Sequence, residues 1–169
     1  MNQVLAMNFV VDKTNKKINV EREFKAPLAL VWAAWTQGDL LDQWWAPKPW
    51  QARTKLLDFT PGGMWLYAMV SPKGEEHWSR CDFKSIVPLN SFSRVDGFSD
   101  EQGAVTPDMP RSFWENTFSE QSDKTLVRIE ISFDKLSDLE MLMDMRFKEG
   151  FTAGLDNLDL FLRTQLEKL

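Results

Sequence analysis

Large apolar residues recur every three or four positions near the C-terminus, at Leu139, Met143, Phe147, Phe151, Leu155, Leu158, Leu162, Leu166 and Leu169. That spacing predicts one long amphipathic helix with a single buried stripe. Arg146, Glu149, Thr152, Asp156, Asp159, Arg163 and Glu167 fall on the opposite, polar face. Gly150 and Gly154 sit inside the pattern. Each costs a helix interior about 1 kcal/mol relative to alanine. They are therefore expected to serve either close approach of a sheet or room for a bound molecule.

Upstream the period changes from 3.6 to 2. Phe9–Val11 and Ile18–Phe24 read as extended segments, the second alternating apolar and polar residues until Arg22 breaks its face. Pro27 opens a short helix through Trp35, and Asp39 is the expected N-cap of a second that Pro47 stops. Six more extended segments follow, over 50–59, 63–70, 76–87, 91–98, 112–119 and 125–133, most of them separated by turn residues such as Pro61-Gly62-Gly63 and Ser71-Pro72-Lys73-Gly74. Short turns imply an antiparallel meander. The connection Ser99 to Arg111 is acidic, carries Gly103, Pro107 and Pro110, and is too long to be a plain turn. The expected class is α+β: a curved antiparallel sheet of about seven strands around the C-terminal helix, two short helices after the first well-formed strand, and residues 1–169 as one domain.

Composition narrows the functions. A net charge of −5 argues against a general nucleic-acid surface. Cys81 is the sole cysteine, which excludes an intramolecular disulfide and suits a reducing compartment. The N-terminal residues show no basic region followed by a long apolar core, and no stretch is apolar enough for a membrane span. A cytoplasmic location is expected. Eight tryptophans beside twelve phenylalanines call for a well-filled core, an aromatic cavity, or both.

Several residue groups mark a family. Phe24-x-x-Pro27, Val31-Trp32-x-x-Trp35-Thr36 and Leu40-Leu41-x-x-Trp44-Trp45-x-Pro47 occur in order, followed by Asp58-Phe59-x-Pro61-Gly62-Gly63-x-Trp65 and Glu149-Gly150-Phe151-x-x-Gly154-Leu155-x-x-Leu158. From about Lys17 to Leu166 the chain resembles the SRPBCC/START-like superfamily, in the branch similar to the C-terminal domain of activators of the heat shock protein 90 ATPase. The resemblance implies a helix-grip fold in which sheet and helix enclose an apolar cavity. It implies no common chemistry, since one fold hosts many functions.

Catalytic motifs are scarce. His77 and Cys81 share one strand face but stand four residues apart, too far for one ion, and Asp42, Asp58, Asp82 and Asp96 read as scattered surface or capping groups, so neither a metal nor a cofactor is expected. No Gly-x-Ser-x-Gly elbow accompanies His77, and Pro61-Gly62-Gly63 lacks the Lys-Ser/Thr of a phosphate loop. Alternation assigns Trp65 or Leu66, Cys81, Phe83, Val95, Phe113 and Val127 to the inner sheet face. The expected cavity lining is Trp65, Tyr67, Cys81, Phe83, Phe113, Met143, Phe147, Gly150, Phe151, Gly154 and Leu155. Tyr67, Arg53, Arg94 and Glu115 are candidate polar anchors, the charged three reading better as outward cross-strand ion pairs. Three functions stand open. The first is a non-enzymatic domain that binds a small hydrophobic or amphipathic ligand. The second is a chaperone partner or stress-response adaptor using exposed tryptophans among Trp44, Trp45, Trp50 and Trp78. The third is a cyclase- or dehydratase-type enzyme, which requires Arg53, Arg94 and Glu115 to point inward. Edge strands also make a homodimer a candidate assembly.

Overall fold

The computed structural model describes residue 5 and residues 7–168. Its sheet contains β1 (Met7–Asp12), β2 (Lys17–Phe24), β3 (Gln51–Leu57), β4 (Met64–Val70), β5 (Glu76–Val87), β6 (Ser91–Phe98), β7 (Arg111–Gln121) and β8 (Lys124–Ser132). The spatial order is β1-β2-β8-β7-β6-β5-β4-β3, all antiparallel. Pairing of β2 with β8 sets the N-terminal β1–β2 hairpin beside the last strand and leaves β3 as the far edge. The class is α+β, with one strand more than the seven predicted, because residues 7–12 pair with β2 along their whole length.

Two short helices, α1 (Leu28–Thr36) and α2 (Gly38–Leu41), lead from β2 to β3. Asp39 is not the cap of α2; it lies inside the helix, whose N-cap is Gln37. The helix stops at Leu41, and Asp42 ties the following turn to β3 by accepting hydrogen bonds from the Thr54 backbone N–H (2.9 Å) and Oγ1 (2.6 Å). The Trp44 indole donates to the Ala34 carbonyl, which locks the same turn onto α1. Trp44 and Trp45 are therefore buried, at 1% and 7% exposure, and do not form the exposed tryptophan patch expected of them. Trp50 and Trp78 are half-buried.

The C-terminal helix is two helices, α3 (Leu136–Asp144) and α4 (Phe147–Glu167). Arg146 between them takes a left-handed conformation with φ 66°. Periodicity hid this break because Met143, Phe147 and Phe151 keep a four-residue interval across it. The change of direction lets Leu139 of α3 and the α4 stripe reach the same core. Phe151, Leu155, Leu158 and Leu162 are buried, Phe147 and Leu166 are half-buried, and Leu169 lies outside the described residues. Burying a side chain of this size stabilises by about 1.5–3 kcal/mol, which explains why α4 holds the sheet despite two glycines.

On β6 and β7 the inward parity is opposite to the expected one. Phe92, Arg94, Trp114, Asn116 and Phe118 are buried, whereas Val95 is half-buried and Phe113 is 39% exposed on the outer face. Trp114 and Phe118 share a parity, and together they bury more apolar area than Phe113 can. One residue of register decides every side chain on the strand. Among the described residues no helix is long and apolar enough to cross a membrane.

Candidate functional site

Near the start of α4 the sheet and helix do not close on one another. A partly open pocket of about 300 Å³ lies between the inner faces of β4–β7, the turn after α2, and the α3–α4 junction. Its walls are aromatic: Trp45, Trp114, Phe147 and Phe151. The Trp45 and Trp114 rings are 6.0 Å apart between centroids, Phe151 is 5.9 Å from Trp45 and 5.4 Å from Trp114, and Phe147 stacks on Phe151 at 5.3 Å. These tilted, edge-on and stacked contacts are those that aromatic quadrupoles favour.

The floor is a cross-strand row. Cys81 on β5 pairs with Asp96 on β6, which pairs with Ser112 on β7. Tyr67 on β4 lies opposite Ser79, beside that row. The Tyr67 hydroxyl accepts a hydrogen bond from the Trp45 indole at 2.9 Å, and Ser112 Oγ accepts one from the Trp114 indole at 2.9 Å. Each wall tryptophan is thus pinned by its N–H to the floor. His77, Met145 and Arg146 are exposed at the rim, and Pro110 brings the end of the 99–111 connection to it. That connection is held down by Arg80, which donates to the Gly103 carbonyl (2.8 Å), and by Lys55, which donates to that of Glu101 (2.9 Å).

Two residues along β6 from Asp96, on the same inner face, lies Arg94, with no exposed surface. Its guanidinium sits among aromatic rings, 4.8 Å from the Trp114 centroid, 5.1 Å from Trp45 and 5.7 Å from Trp65. Nε is 2.8 Å from Asp96 Oδ1, an ion pair whose angles do not make a hydrogen bond, and none of the three guanidinium nitrogens has a hydrogen-bond partner among the described residues. Burial lowers the Arg94 pKa, but attraction to Asp96 and the neighbouring groups outweighs this and leaves it raised. Burial lifts Asp96 above the ordinary carboxylate range against the pull of Arg94. Burial also pushes the Cys81 thiol and the Tyr67 phenol well up, so both are neutral near pH 7. A thiol in that state is a poor nucleophile.

Among the residues expected to line a cavity, Tyr67, Cys81, Phe147, Gly150 and Phe151 border this pocket. Trp65 stacks on Tyr67 at 4.0 Å and Phe83 packs against Phe59 at 5.0 Å, both within the solid core. Met143 packs half-buried on that core, and Leu155 is buried in it. Phe113 faces away from the pocket, for the parity reason above. A Cβ on Gly154 would lie 2.9 Å from the Trp45 carbonyl oxygen, so this glycine serves close approach of α4 to the turn after α2, not to the sheet. Asn157 seals the same junction by donating to the Ala46 carbonyl at 2.9 Å. Among the charged candidates, Arg53 pairs with Glu76 in a largely exposed ion pair and Glu115 is exposed on the outer face. Arg94 corrects the outward reading, and Asp96 corrects the assignment to a scattered surface group. Sequence reasoning missed Asp96, Trp114 and Trp45 as pocket residues. Phe92 and Phe98, in phase with Arg94 and Asp96, are the signal that would have placed that parity inside. Among the described residues no three histidine, cysteine, aspartate or glutamate side chains gather as a metal site.

A bent antiparallel sheet closing on a C-terminal helix, with a pocket between them, defines a helix-grip protein of the SRPBCC type. The chain belongs to the family of activator of Hsp90 ATPase homolog 1-like proteins, whose family model matches residues 25–163. A crystal structure of a Mycobacterium smegmatis protein is similar at TM-score 0.85 and 26% identity, over 94% of this chain and 97% of that one. A solution structure from Arthrobacter aurescens is similar at TM-score 0.88 and 25% identity, over 93% of this chain and 91% of that one. An AHSA1 protein from Silicibacter pomeroyi shares the fold at TM-score 0.70 and 23% identity, over 88% of this chain and 99% of that one. No curated protein matches the chain.

Proposed function

We propose that this chain is a non-enzymatic, cytoplasmic single-domain protein that holds one small, largely apolar molecule between its sheet and α4. The observation that carries the reading is the 300 Å³ pocket itself, aromatic on its walls and polar along its floor and rim. Ligand sites are concave, mostly apolar and oriented by a few polar groups, with volumes starting at about 300 Å³. The pinned tryptophans support the same reading, because a preformed pocket avoids the ordering penalty of binding. A chaperone-partner role loses its main motivation with Trp44 and Trp45 buried. A cyclase-type role loses Arg53 and Glu115, which face solvent.

The test is a titration of the purified protein with a fluorescent polyaromatic probe, followed by tryptophan emission. Trp45 and Trp114 border the pocket, so saturable one-to-one uptake with quenching is expected. Emission that changes linearly without saturation would end the proposal.

A further inference from the structure

We propose that Asp96 is the recognition group of the pocket, and that the ligand is a neutral, mainly aromatic molecule offering one hydroxyl or N–H donor to it. This deepens the binding reading above and rests on it. Asp96 borders the pocket at the centre of the floor, between Cys81 and Ser112. Its Oδ1 is sealed from solvent on the Arg94 side, yet the side chain keeps 16% of its surface accessible. Beyond Arg94 and the neighbouring Cys81 thiol the carboxylate has spare acceptor capacity, and as a lining group it offers that capacity to the pocket. A carboxylate can accept about four hydrogen bonds, and a buried one left short of partners is an unfulfilled demand that a ligand donor meets.

Charge balance selects the kind of donor. Arg94 and Asp96 already form an electroneutral pair, with the guanidinium set against Trp45 and Trp114. A cationic ligand would bring a second positive charge beside a guanidinium that has no route to solvent. An anionic ligand would meet Asp96 directly, while Arg94, fully covered, offers it no contact, and the two arginines that line the pocket are already paired, Arg80 with Asp82 and Arg146 with Glu149. Net charge carried against the buried floor is penalised unless it is paired. A neutral donor adds no net charge and satisfies the free oxygen. Size agrees with a fused-ring molecule: at about 30 Å³ per water, 300 Å³ corresponds to a ligand of roughly ten non-hydrogen atoms or slightly more.

Four naphthalene derivatives of nearly equal size separate the alternatives at pH 7, each competing against the polyaromatic probe: 2-naphthol, 2-methoxynaphthalene, 2-naphthoate and 2-naphthylmethylammonium. The expected order places 2-naphthol at least tenfold tighter than the methoxy compound, the size of a hydrogen bond to a charged acceptor, with both ions weaker than 2-naphthol. In the Asp96→Asn protein, 2-naphthol should lose about tenfold while 2-methoxynaphthalene is unchanged. Equal affinity of naphthol and its methyl ether overturns the assignment of Asp96 but leaves the pocket reading intact. Tightest binding by the ammonium or the carboxylate overturns the neutral-ligand claim. If the probe binds but no derivative displaces it, the Asp96 assignment falls and the pocket reading stands; if the probe itself does not bind, both fall. The wild-type series stands alone should the variant fail to fold.

Discussion

Arg94 keeps a full charge in the core with one ion-pair partner and four rings as its surroundings. Guanidinium over an aromatic face gains more when desolvated, but that alone does not replace lost hydration. Replacing Arg94→Met leaves Asp96 without its counter-charge and should destabilise the protein by about 3–5 kcal/mol, whereas Arg94→Met with Asp96→Leu should recover most of that loss. Urea midpoints measure both. The pH dependence has a definite sign. Asp96 is raised above its ordinary 3.8 mainly by burial, so the folded state holds its proton more tightly than the unfolded chain. Its stabilising contribution is complete below the unfolded value and is lost as pH rises through the folded one. Removing Arg94 raises Asp96 further, so the variant should weaken more than wild type between mildly acidic and neutral pH. Arg94 was legible only as a candidate anchor for which the outward ion-pair reading was preferred, and Asp96 was not legible as a pocket group. An Arg and an Asp two positions apart, flanking Val95, carry the ordinary pattern of a solvent-facing ion pair. The parity they share with Phe92 and Phe98 hints at the inward side, and the register with Trp114 and Ser112 fixes it.

The two glycines of α4 show how one sequence feature acts differently at two points of one helix. Gly154→Ala forces a methyl to 2.9 Å from the Trp45 carbonyl oxygen, a backbone atom that cannot swing away. A cost of about 1–3 kcal/mol is expected. Gly150→Ala meets only Pro47 Cγ at an ordinary 3.8 Å, so the gain in helix propensity dominates and the variant should be more stable by up to about 1 kcal/mol. Thermal melts of the two proteins should therefore move in opposite directions. That both glycines needed a reason was readable from helix propensity. That the reason was the turn at Trp44–Trp45 for one and a pocket border for the other was not, since neither segment is near them in the chain. The strands, by contrast, were legible to within a few residues, because period-two alternation and turn residues act between neighbours. The break at Met145–Arg146 left no mark, as both residues propagate a helix well and the apolar interval runs through it.

For the molecule as a whole, a ligand that binds only the folded state adds stability by mass action. At one hundred times its dissociation constant the 2-naphthol probe should contribute about 2.7 kcal/mol, raising the melting temperature by about 5–10 °C for a chain of this size. Calorimetric scans with and without the probe read this directly, and an unchanged midpoint at saturation would contradict binding to the folded state. What the order of residues settled was the α+β class, the antiparallel meander, the buried stripe of the last helix and the family motifs. All of these rest on intervals of two to four residues or on turn chemistry, which a linear pattern records. The inward parity of β6 and β7, the pairing of Arg94 with Asp96 and the position of the pocket came from packing between distant segments. A pocket is the space that side chains from the turn after α2, the α3–α4 junction and four strands together fail to fill, and no one stretch of chain encodes a remainder of that kind.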